Sequence, residues 1–404
     1  MSRFTLTDAA IERALAPGLD VAAPADFVKQ ISDAIAPQPR QSRLWLLNPT
    51  TWPRRAPLMT QMLLLLLLLA LLAGAVVVAS LPRKAFANGD VIVASDAQLL
   101  AVDPETGVSR SLLTGEGTIF GVARSGDGRL ISFWTETPQG TTLEVSDAAG
   151  GDRRRLAENV IPRPVGEGQI DVWSPDGRWL AAGVQVGGEA RILLVDISSG
   201  IGEFMGPIGA ANPLWSPDGQ LLAFSLERER HSVLAVMHPD GSGLRVVSGD
   251  LTGFNVGANN WSPDGVWVYF GAERFNFNES HIYRAHVEES YSEQLTFDLV
   301  TAAPALSPDG TNVAYSEWER GVGIQNLNIM DADGGKQGRL LDTALNYGWS
   351  NDGQFLLAEW RPTGADFELL ILRPDGTGRR TLMTFAGGCV SACAPSLGWG
   401  QPRP

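Results

Sequence analysis

Short runs of alternating apolar and polar residues, each following a tight turn, recur from about residue 88 to the end of the chain. Residues 221–224 and 266–270 are examples, and such runs are typical of β-strands. Four of the six turns before them have the order Ser-Pro-Asp-Gly, and the turns at residues 125–128 and 350–353 have glycine or asparagine in place of the proline. In this turn proline presets φ, aspartate accepts local backbone N–H groups and glycine takes the fourth position. The pattern therefore predicts an all-β domain made of repeated antiparallel hairpins.

The turn recurs six times at a nearly constant interval. Successive units are 42 to 49 residues apart, measured between their aspartates, Asp127, Asp176, Asp218, Asp264, Asp309 and Asp352. Tryptophan often stands directly before the turn, at Trp173, Trp215, Trp261 and Trp349. A propeller blade takes about 40–45 residues, so each unit is predicted to be one blade. We interpret the tryptophans as packing between sheets and the aspartates as turn formers, rather than as ligand contacts or metal ligands.

A second set of turns gives the number of blades. A second tight turn occurs in seven outer hairpins, near residues 103–107, 147–151, 196–200, 239–241, 287–290, 331–335 and 374–376, which is one more than the number of Ser-Pro-Asp-Gly units. The additional hairpin lies in residues 91–112, before the first complete unit, and residues 397–399 look like the start of another unit. Joining these two fragments makes one more blade and leaves no free sheet edge. We therefore predict a seven-bladed β-propeller closed by its N- and C-terminal strands, with six or eight blades as alternatives.

The repeated Trp-Ser-Pro-Asp-Gly pattern resembles the propeller repeat of the TolB family, and the resemblance covers residues 88–402. It implies a propeller whose ligands bind on the face opposite the Ser-Pro-Asp-Gly turns. TolB itself has six blades, a separate N-terminal domain and a periplasmic location. This chain is predicted to differ in having seven blades and a membrane anchor.

A long uncharged segment precedes the predicted propeller. Residues 56–82 carry no formal charge and are almost pure leucine in the centre. About 20 apolar residues span the hydrocarbon core as a helix, so we predict a single transmembrane helix in the cell membrane. Several arginines precede it, at Arg40, Arg43, Arg54 and Arg55, which puts the N-terminus in the cytoplasm and the propeller outside. A cleaved signal peptide is the alternative, because residues 85–87 are Ala-Phe-Ala, but its apolar run would be longer than is usual.

Residues 1–55 are predicted to be a partly helical cytoplasmic stub, and residues 83–87 a linker. One helix begins near Pro24 and places Phe27, Ile31 and Ile35 on one face. The stub is too small to bury its own core, so it is either a solvated leader or a helix that docks into a cytoplasmic partner. Its length and placement are similar to the stubs of single-pass anti-sigma factors, although residues 1–84 lack the histidine and cysteine of their zinc motif.

Charge is distributed unevenly between the two parts. The net charge is −14; residues 1–84 carry 9 basic and 5 acidic groups (+4), which leaves 22 basic and 40 acidic groups (−18) for the rest. Such an acidic body disfavours nucleic-acid binding.

The two cysteines, Cys389 and Cys393, are predicted to form a disulfide outside the membrane, with metal or redox use as the weaker alternative. We expect no cofactor.

The candidate binding residues lie at the far ends of the strands that follow the turns. A strand of about eight residues crosses the sheet, so these residues are predicted to lie opposite the turns. They combine acidic, basic and aromatic side chains, at Glu136, Gln185, Glu227, Arg228, Glu273, Arg274, Trp318, Glu319, Trp360 and Arg361. Neighbouring Trp134, Glu317 and Glu359 are expected to add to this rim. It suits recognition of a peptide or glycan, with ordinary solvated loops as the alternative.

The sequence contains no motif for a known catalytic mechanism. It lacks the Gly-x-Ser-x-Gly of hydrolases, His-Glu-x-x-His, the phosphate loop and the dinucleotide fingerprint. His281 and His286 are five residues apart and are interpreted as lone surface histidines, with a shared metal as the alternative. We therefore expect a membrane-anchored binding or scaffold module for an envelope protein, peptide or glycan. The alternatives are a transmembrane regulator whose residues 1–55 bind a cytoplasmic partner, and a propeller hydrolase.

Overall fold

The computed structural model describes residues 89–162, 171–229, 231–274, 279–297, 300–318, 325–362, 366–385 and 397–398. All of them belong to one compact unit, Arg83–Pro404, and their regular structure consists of β-strands. The strands of the first half are β1 (Val91–Ser95), β2 (Gln98–Val102), β3 (Ser109–Thr114), β4 (Thr118–Arg124), β5 (Leu130–Thr137), β6 (Gly140–Asp147), β7 (Arg154–Glu158), β8 (Ile161–Pro162), β9 (Asp171–Trp173), β10 (Trp179–Val186), β11 (Glu189–Asp196), β12 (Gly202–Met205), β13 (Ala210–Trp215), β14 (Leu222–Arg228), β15 (His231–Met237) and β16 (Arg245–Val246).

The strands of the second half follow in the same order and have similar lengths. They are β17 (Phe254–Trp261), β18 (Trp267–Arg274), β19 (Ser280–His286), β20 (Tyr291–Gln294), β21 (Val300–Leu306), β22 (Asn312–Trp318), β23 (Gln325–Asp331), β24 (Gly338–Leu341), β25 (Ala344–Trp349), β26 (Leu356–Trp360), β27 (Phe367–Leu372), β28 (Arg380–Phe385) and β29 (Leu397–Gly398).

These strands form seven antiparallel sheets, each of which is one blade of a propeller. From the centre outwards, blade 1 is β29-β1-β2-β3, blade 2 is β4 to β7, blade 3 is β9 to β12, and blades 4 to 7 are β13–β16, β17–β20, β21–β24 and β25–β28. Blade 3 has an additional short strand, because β8 pairs with the far end of β10 while β9 pairs with its near end. The prediction of seven blades is confirmed.

The ring is closed by the two ends of the propeller sequence. In blade 1, Ile92 pairs with Gly398 and Val93 with Leu397, so the innermost strand comes from the C-terminal end and the other three from the N-terminal end. This pairing confirms the predicted closure. Hydrophobic side chains of neighbouring blades fill the space between the sheets, as in the cluster that joins Leu180 and Val195 of blade 3 to Trp134 of blade 2.

Each Ser-Pro-Asp-Gly turn is held by its own side chains. In blade 4, Ser216 Oγ donates to Asp218 Oδ1 at 2.6 Å and accepts the Leu221 N–H at 2.9 Å. Asp218 Oδ1 also accepts the Gln220 N–H at 3.0 Å, and these hydrogen bonds hold the pKa of Asp218 below its usual value. The serine makes the same two contacts in the other units, at Ser125, Ser174, Ser262, Ser307 and Ser350. The aspartates are turn formers, as predicted.

The repeated tryptophans pack between blades and also join them by hydrogen bonds. Trp173, Trp215, Trp261 and Trp349 are all buried. Trp261 Nε1 donates to the Leu214 carbonyl oxygen of the preceding blade at 3.1 Å, and Trp349 Nε1 donates to that of Ala305 at 2.8 Å. The predicted packing role is confirmed, and the indole N–H groups of Trp261 and Trp349 add a polar link between innermost strands. The indole of Trp173 donates instead to Ser132 Oγ on β5 at 3.1 Å.

Several predictions fall on residues outside the described ones. These are the cytoplasmic stub (1–55), the transmembrane helix (56–82), the linker (83–87), and the Cys389–Cys393 disulfide. Within the residues that the structure describes, no helix is long and apolar enough to cross a membrane.

Candidate functional site

The two edges of the blades form two different faces of the propeller. The turn face carries the Ser-Pro-Asp-Gly turns and the turns between the third and outermost strands. The hairpin face carries the tips between the second and third strands, and the connections that lead from each blade to the next. Each second strand therefore starts at the turn face and ends at the hairpin face.

The described rim residues all lie at the hairpin face. They are at or beside the final residues of the second strands β5, β10, β14, β18, β22 and β26. Gln185, Glu273 and Trp360 are partly buried, whereas the other six are exposed: Glu136, Glu227, Arg228, Arg274, Trp318 and Arg361. Glu319 lies outside the described residues. Each blade contributes one residue or two adjacent ones, so the rim is a ring of separate groups on six blades.

In blade 5, the rim residue Arg274 contacts two other side chains of the same blade. Arg274 Nε lies 2.8 Å from Glu279 Oε2, and the guanidinium stands 4.9 Å above the Phe254 ring. Burial raises the pKa of Glu273 above its usual value. Glu273 and Arg274 are successive residues of β18, so their side chains point to opposite sides of the sheet and lie in different environments.

In blade 7, two arginines cover the aromatic rings of hairpin-face residues, Arg361 from the hairpin face itself and Arg379 from the turn between β27 and β28. The Arg379 guanidinium lies 3.7 Å from the centre of the Trp360 ring, and that of Arg361 lies 4.9 Å from the centre of Phe367. Such cation–π contacts are worth about 0.5–1 kcal/mol at exposed sites. Trp318 in blade 6 is different, because 39% of its surface is exposed.

Of three neighbours expected at the rim, two are buried and one is partly buried. Trp134 is fully buried, Glu359 is 2% exposed and accepts a hydrogen bond from Asn346 Nδ2 at 2.8 Å, and the partly buried Glu317 pairs with Arg339 at 3.2 Å with a side chain that is 12% exposed. The expectation was wrong for Trp134 and Glu359 because they lie before the strand end, where the side chains face neighbouring strands or blades. Trp134 and Glu359 occupy the strand position that holds a small residue in four other blades, at Gly183, Ser225, Gly271 and Ser316.

The two histidines considered for a metal do not meet. They lie at opposite ends of β19, where His281 pairs with Ala272 and His286 pairs with Trp267. His286 stacks on Tyr291 with ring centres 5.7 Å apart. Among the described residues, no group of three or more His, Cys, Asp or Glu side chains is placed to hold a metal ion.

Sequence reasoning missed the apolar residues of the hairpin face. Four are exposed beside the rim: Ile161 (60%), Val186 (39%), Ile208 (56%) and Phe297 (67%). Three of them lie in or beside connections between blades, whereas the predicted rim residues lie at the ends of the second strands. Their signal in the sequence was a large apolar side chain in a segment that otherwise reads as a polar connection.

Comparison with known proteins gives a family and a fold. The family model described as the TolB beta propeller domain matches residues 170–397. An uncharacterised protein from Agrobacterium fabrum is 28% identical over 247 residues, which cover 57% of this chain and 81% of that protein.

Two solved structures have a similar fold. The crystal structure of TolB from Acinetobacter baumannii has a TM-score of 0.52 at 18% identity, covering 79% of this chain and 68% of that one. The oligogalacturonate lyase from Vibrio parahaemolyticus has a TM-score of 0.55 at 15% identity, covering 70% of this chain and 91% of that one. Because one of them is a lyase, the shared fold alone does not determine the activity of this chain. The family match spans more than half of the chain and includes its Trp-Ser-Pro-Asp-Gly repeats, so the protein belongs to the TolB beta propeller domain family.

Proposed function

We propose that this protein is a non-catalytic binding module of the cell envelope, which residues 56–82 anchor in the membrane and whose hairpin face binds a protein or peptide. The observation that carries the proposal is the composition of that face. It combines exposed carboxylates, guanidiniums and a tryptophan on six blades with exposed apolar side chains between them. Aromatic residues and arginine are enriched in protein interfaces, and they supply most of the binding energy there.

The turn face differs in how its polar groups are used. It also has exposed apolar side chains, at Val108, Ile201 and Leu244, but its repeated polar groups are used inside the turns, as in the Ser216–Asp218 pair at 2.6 Å. The side chains of the hairpin face differ from blade to blade, which gives that surface a distinct pattern that a partner can recognise. A glycan remains the alternative ligand for the same face, because exposed aromatic rings such as that of Trp318 also stack on sugar rings.

Crosslinking in living cells followed by mass spectrometry tests this function. The full-length protein is compared with a variant that lacks residues 2–50, which removes the stub and keeps the apolar segment and the propeller. We expect an envelope protein to be captured equally by both, through peptides of the hairpin face. Capture of only a cytoplasmic protein, lost in the truncated variant, would contradict the proposal.

The second candidate function is transmembrane regulation, and the sequence of the stub is what favours it. Phe27, Ile31 and Ile35 recur at helical spacing, which suits docking of one helical face into a partner's groove. In that case the propeller would be the sensor and residues 1–55 the output. Substituting serine for these three residues would then release the cytoplasmic partner while crosslinks at the propeller persist.

A further inference from the structure

We infer that His286 makes the turn between β19 and β20 sensitive to protons. The turn is closed while the imidazole is neutral and opens when the imidazole is protonated, which loosens the contact between blades 4 and 5. This turn comprises residues 286–290 and is here called the histidine turn. It lies on the turn face, so the inference is independent of the binding proposed for the hairpin face.

The histidine turn has two counterparts with the same backbone structure. In blades 1, 3 and 5 the fifth residue of the turn donates its N–H to the carbonyl of the first, in the pairs Gly107–Asp103, Gly200–Asp196 and Ser290–His286. The fifth residue has a positive φ in all three turns, at 72°, 70° and 54°. His286 therefore occupies the position that an aspartate occupies in blades 1 and 3.

The side chain at this position accepts a backbone hydrogen bond within the turn. In blade 3, Asp196 Oδ1 accepts the N–H of Ser199, three residues further on, at 3.1 Å. In blade 5, His286 Nδ1 accepts the N–H of Glu289, also three residues further on, at 3.1 Å. The imidazole thus takes the place of the carboxylate in holding the turn.

The two acceptors respond differently to pH. The Asp196 carboxylate stays ionised in mild acid, because hydrogen bonds from Ser198 and Ser199 lower its pKa to about 2. An imidazole nitrogen accepts only while it carries no proton, and histidines change charge between about pH 5 and 8. Protonation of His286 Nδ1 would set two N–H groups against each other at the 3.1 Å contact with Glu289, so the closed turn requires the neutral imidazole.

The charges around the imidazole do not prevent its protonation. The rings of Trp267 and Tyr291 lie against it, with centres 5.0 and 5.7 Å away. The charged groups on the elements packed around it are Glu288 and Glu289 of its own turn, Arg284 of β19, Glu293 of β20, Asp264 before β18, Arg245 of blade 4, and Asp331, Asp333 and Lys336 of blade 6. These are six carboxylates and three cations, a balance that accommodates a positive imidazole. The hydrogen bond from Glu289 is therefore what opposes the proton.

The histidine turn is also a place where blade 4 contacts blade 5. Arg245 of β16 donates from Nε to the Val287 carbonyl at 3.3 Å, and its Nη2 lies 2.7 Å from Glu288 Oε1. Both acceptors belong to the histidine turn, so their positions depend on its conformation. Opening of the turn therefore removes these two polar contacts between the blades.

Hydrogen–deuterium exchange with mass spectrometry tests the inference on the purified full-length protein in a non-ionic detergent. Exchange is measured at about pH 8 and about pH 5.5, on either side of the usual histidine titration, and is corrected for the intrinsic effect of pH on amide exchange. Peptides that cover residues 287–292 should exchange about three- to tenfold faster at the lower pH, as loss of one hydrogen bond allows. Peptides that cover residues 197–202 should not change, because Asp196 is ionised at both pH values.

Two single substitutions identify the group that responds. His286→Asp gives blade 5 the acceptor that blade 3 has, so the exchange of residues 287–292 should no longer depend on pH. His238→Asn is the matched control, because His238 begins the corresponding turn of blade 4. Its Nδ1 lies 3.1 Å from the Gln220 carbonyl oxygen, which can only accept, so protonation keeps that hydrogen bond. The response of residues 287–292 should therefore persist in His238→Asn.

Each outcome decides the inference. Faster exchange of the histidine turn at the lower pH, abolished by His286→Asp and kept in His238→Asn, supports it. Equal exchange at both pH values, or a response that persists in His286→Asp or disappears in His238→Asn, overturns it. If His286→Asp does not fold, the two turns of the unaltered protein decide: a response confined to the histidine turn supports the inference, and one shared with residues 197–202 overturns it.

Discussion

The turn face and the hairpin face of the propeller are the two ends of the same strands, yet their residues are used in different ways. On the turn face, the serine and aspartate of each repeat satisfy one another and the local backbone, as Ser216 and Asp218 do with Leu221. On the hairpin face, the side chains change from Glu136 in blade 2 to Trp318 in blade 6. The difference indicates that repetition serves the fold, and under the proposed function the variation serves recognition.

The largest expected contrast concerns tryptophans at the two ends. Trp261 is buried and hydrogen-bonded to the preceding blade, so Trp261→Ala should lower the free energy of unfolding by about 3–5 kcal/mol. Trp318 is 39% exposed, so Trp318→Ala should lower it by less than about 1 kcal/mol. Urea denaturation followed by circular dichroism measures both. Equal losses would mean that Trp318 is a structural residue.

A smaller contrast concerns polar side chains. Ser216→Ala removes a buried hydroxyl that accepts the Leu221 N–H, and should cost about 1–2 kcal/mol. Gln185 lies at the hairpin face and donates to the Gly188 carbonyl at 3.1 Å, and Gln185→Ala should cost at most about 0.5 kcal/mol. The same denaturation assay applies. A larger loss of stability for Gln185→Ala than for Ser216→Ala would contradict the view that the polar side chains of the turn face stabilise the fold more than those of the hairpin face.

Asp264 of the turn face and Glu273 of the hairpin face should change stability with pH in opposite directions. Hydrogen bonds from Ser262 and Val266 lower the pKa of Asp264, so the stability that its carboxylate gives is present above pH 3.8 and is lost as the pH falls through the lowered pKa. Burial raises the pKa of Glu273, so its carboxylate reduces stability above that raised pKa.

Two amide substitutions measure this difference. At pH 7, Asp264→Asn should lower the melting temperature and Glu273→Gln should keep it or raise it. The first effect should shrink as the pH falls below 3.8, where the unfolded chain becomes protonated. The second should shrink as the pH falls through the raised pKa of Glu273 and should be absent below pH 4.5. A Glu273→Gln variant that melts lower at pH 7 would show that the carboxylate is needed for the fold.

The smallest effect on stability is expected at the exposed charges of the rim. Glu136→Ala and Arg228→Ala should change the free energy of unfolding by no more than about 0.5 kcal/mol, because both side chains are exposed. Their effect should instead be on the yield of in-cell crosslinks to the partner. Thermal unfolding of each purified variant, alongside the crosslinking, shows whether stability and binding separate in this way.

The fold was predictable from the sequence because its signals are local and repeated. The spacing of Asp127 to Asp352 gave six units, and the fragments at both ends gave the seventh blade, which the pairing of Ile92 with Gly398 completes. What the sequence did not predict was β8, because Ile161 and Pro162 form only a two-residue strand at the end of β10. So short a segment carries no periodic pattern.

The candidate site was predictable only in its position along the chain. Counting from the turn glycines located the ends of the second strands, but counting does not determine exposure. Trp134 and Glu359 are buried because their side chains face neighbouring strands or blades, where tertiary packing decides what is covered. Ile161 and Ile208 were missed for a different reason, since they lie in or beside connections between blades and only long-range pairings, of Ile161 with Gln185 and of Gly209 with Ala190, place them at the hairpin face.

Site-specific photocrosslinking in cells tests the central claim, that the hairpin face is the binding face, most directly. A photoreactive amino acid would replace Glu136, Gln185 or Arg361 on the hairpin face, and Arg129, Gln220 or Gln354 on the turn face. We predict a discrete crosslinked species of the same mass from at least two hairpin-face positions and none from the turn face. Crosslinks from the turn face alone, or equally from both faces, would contradict the account.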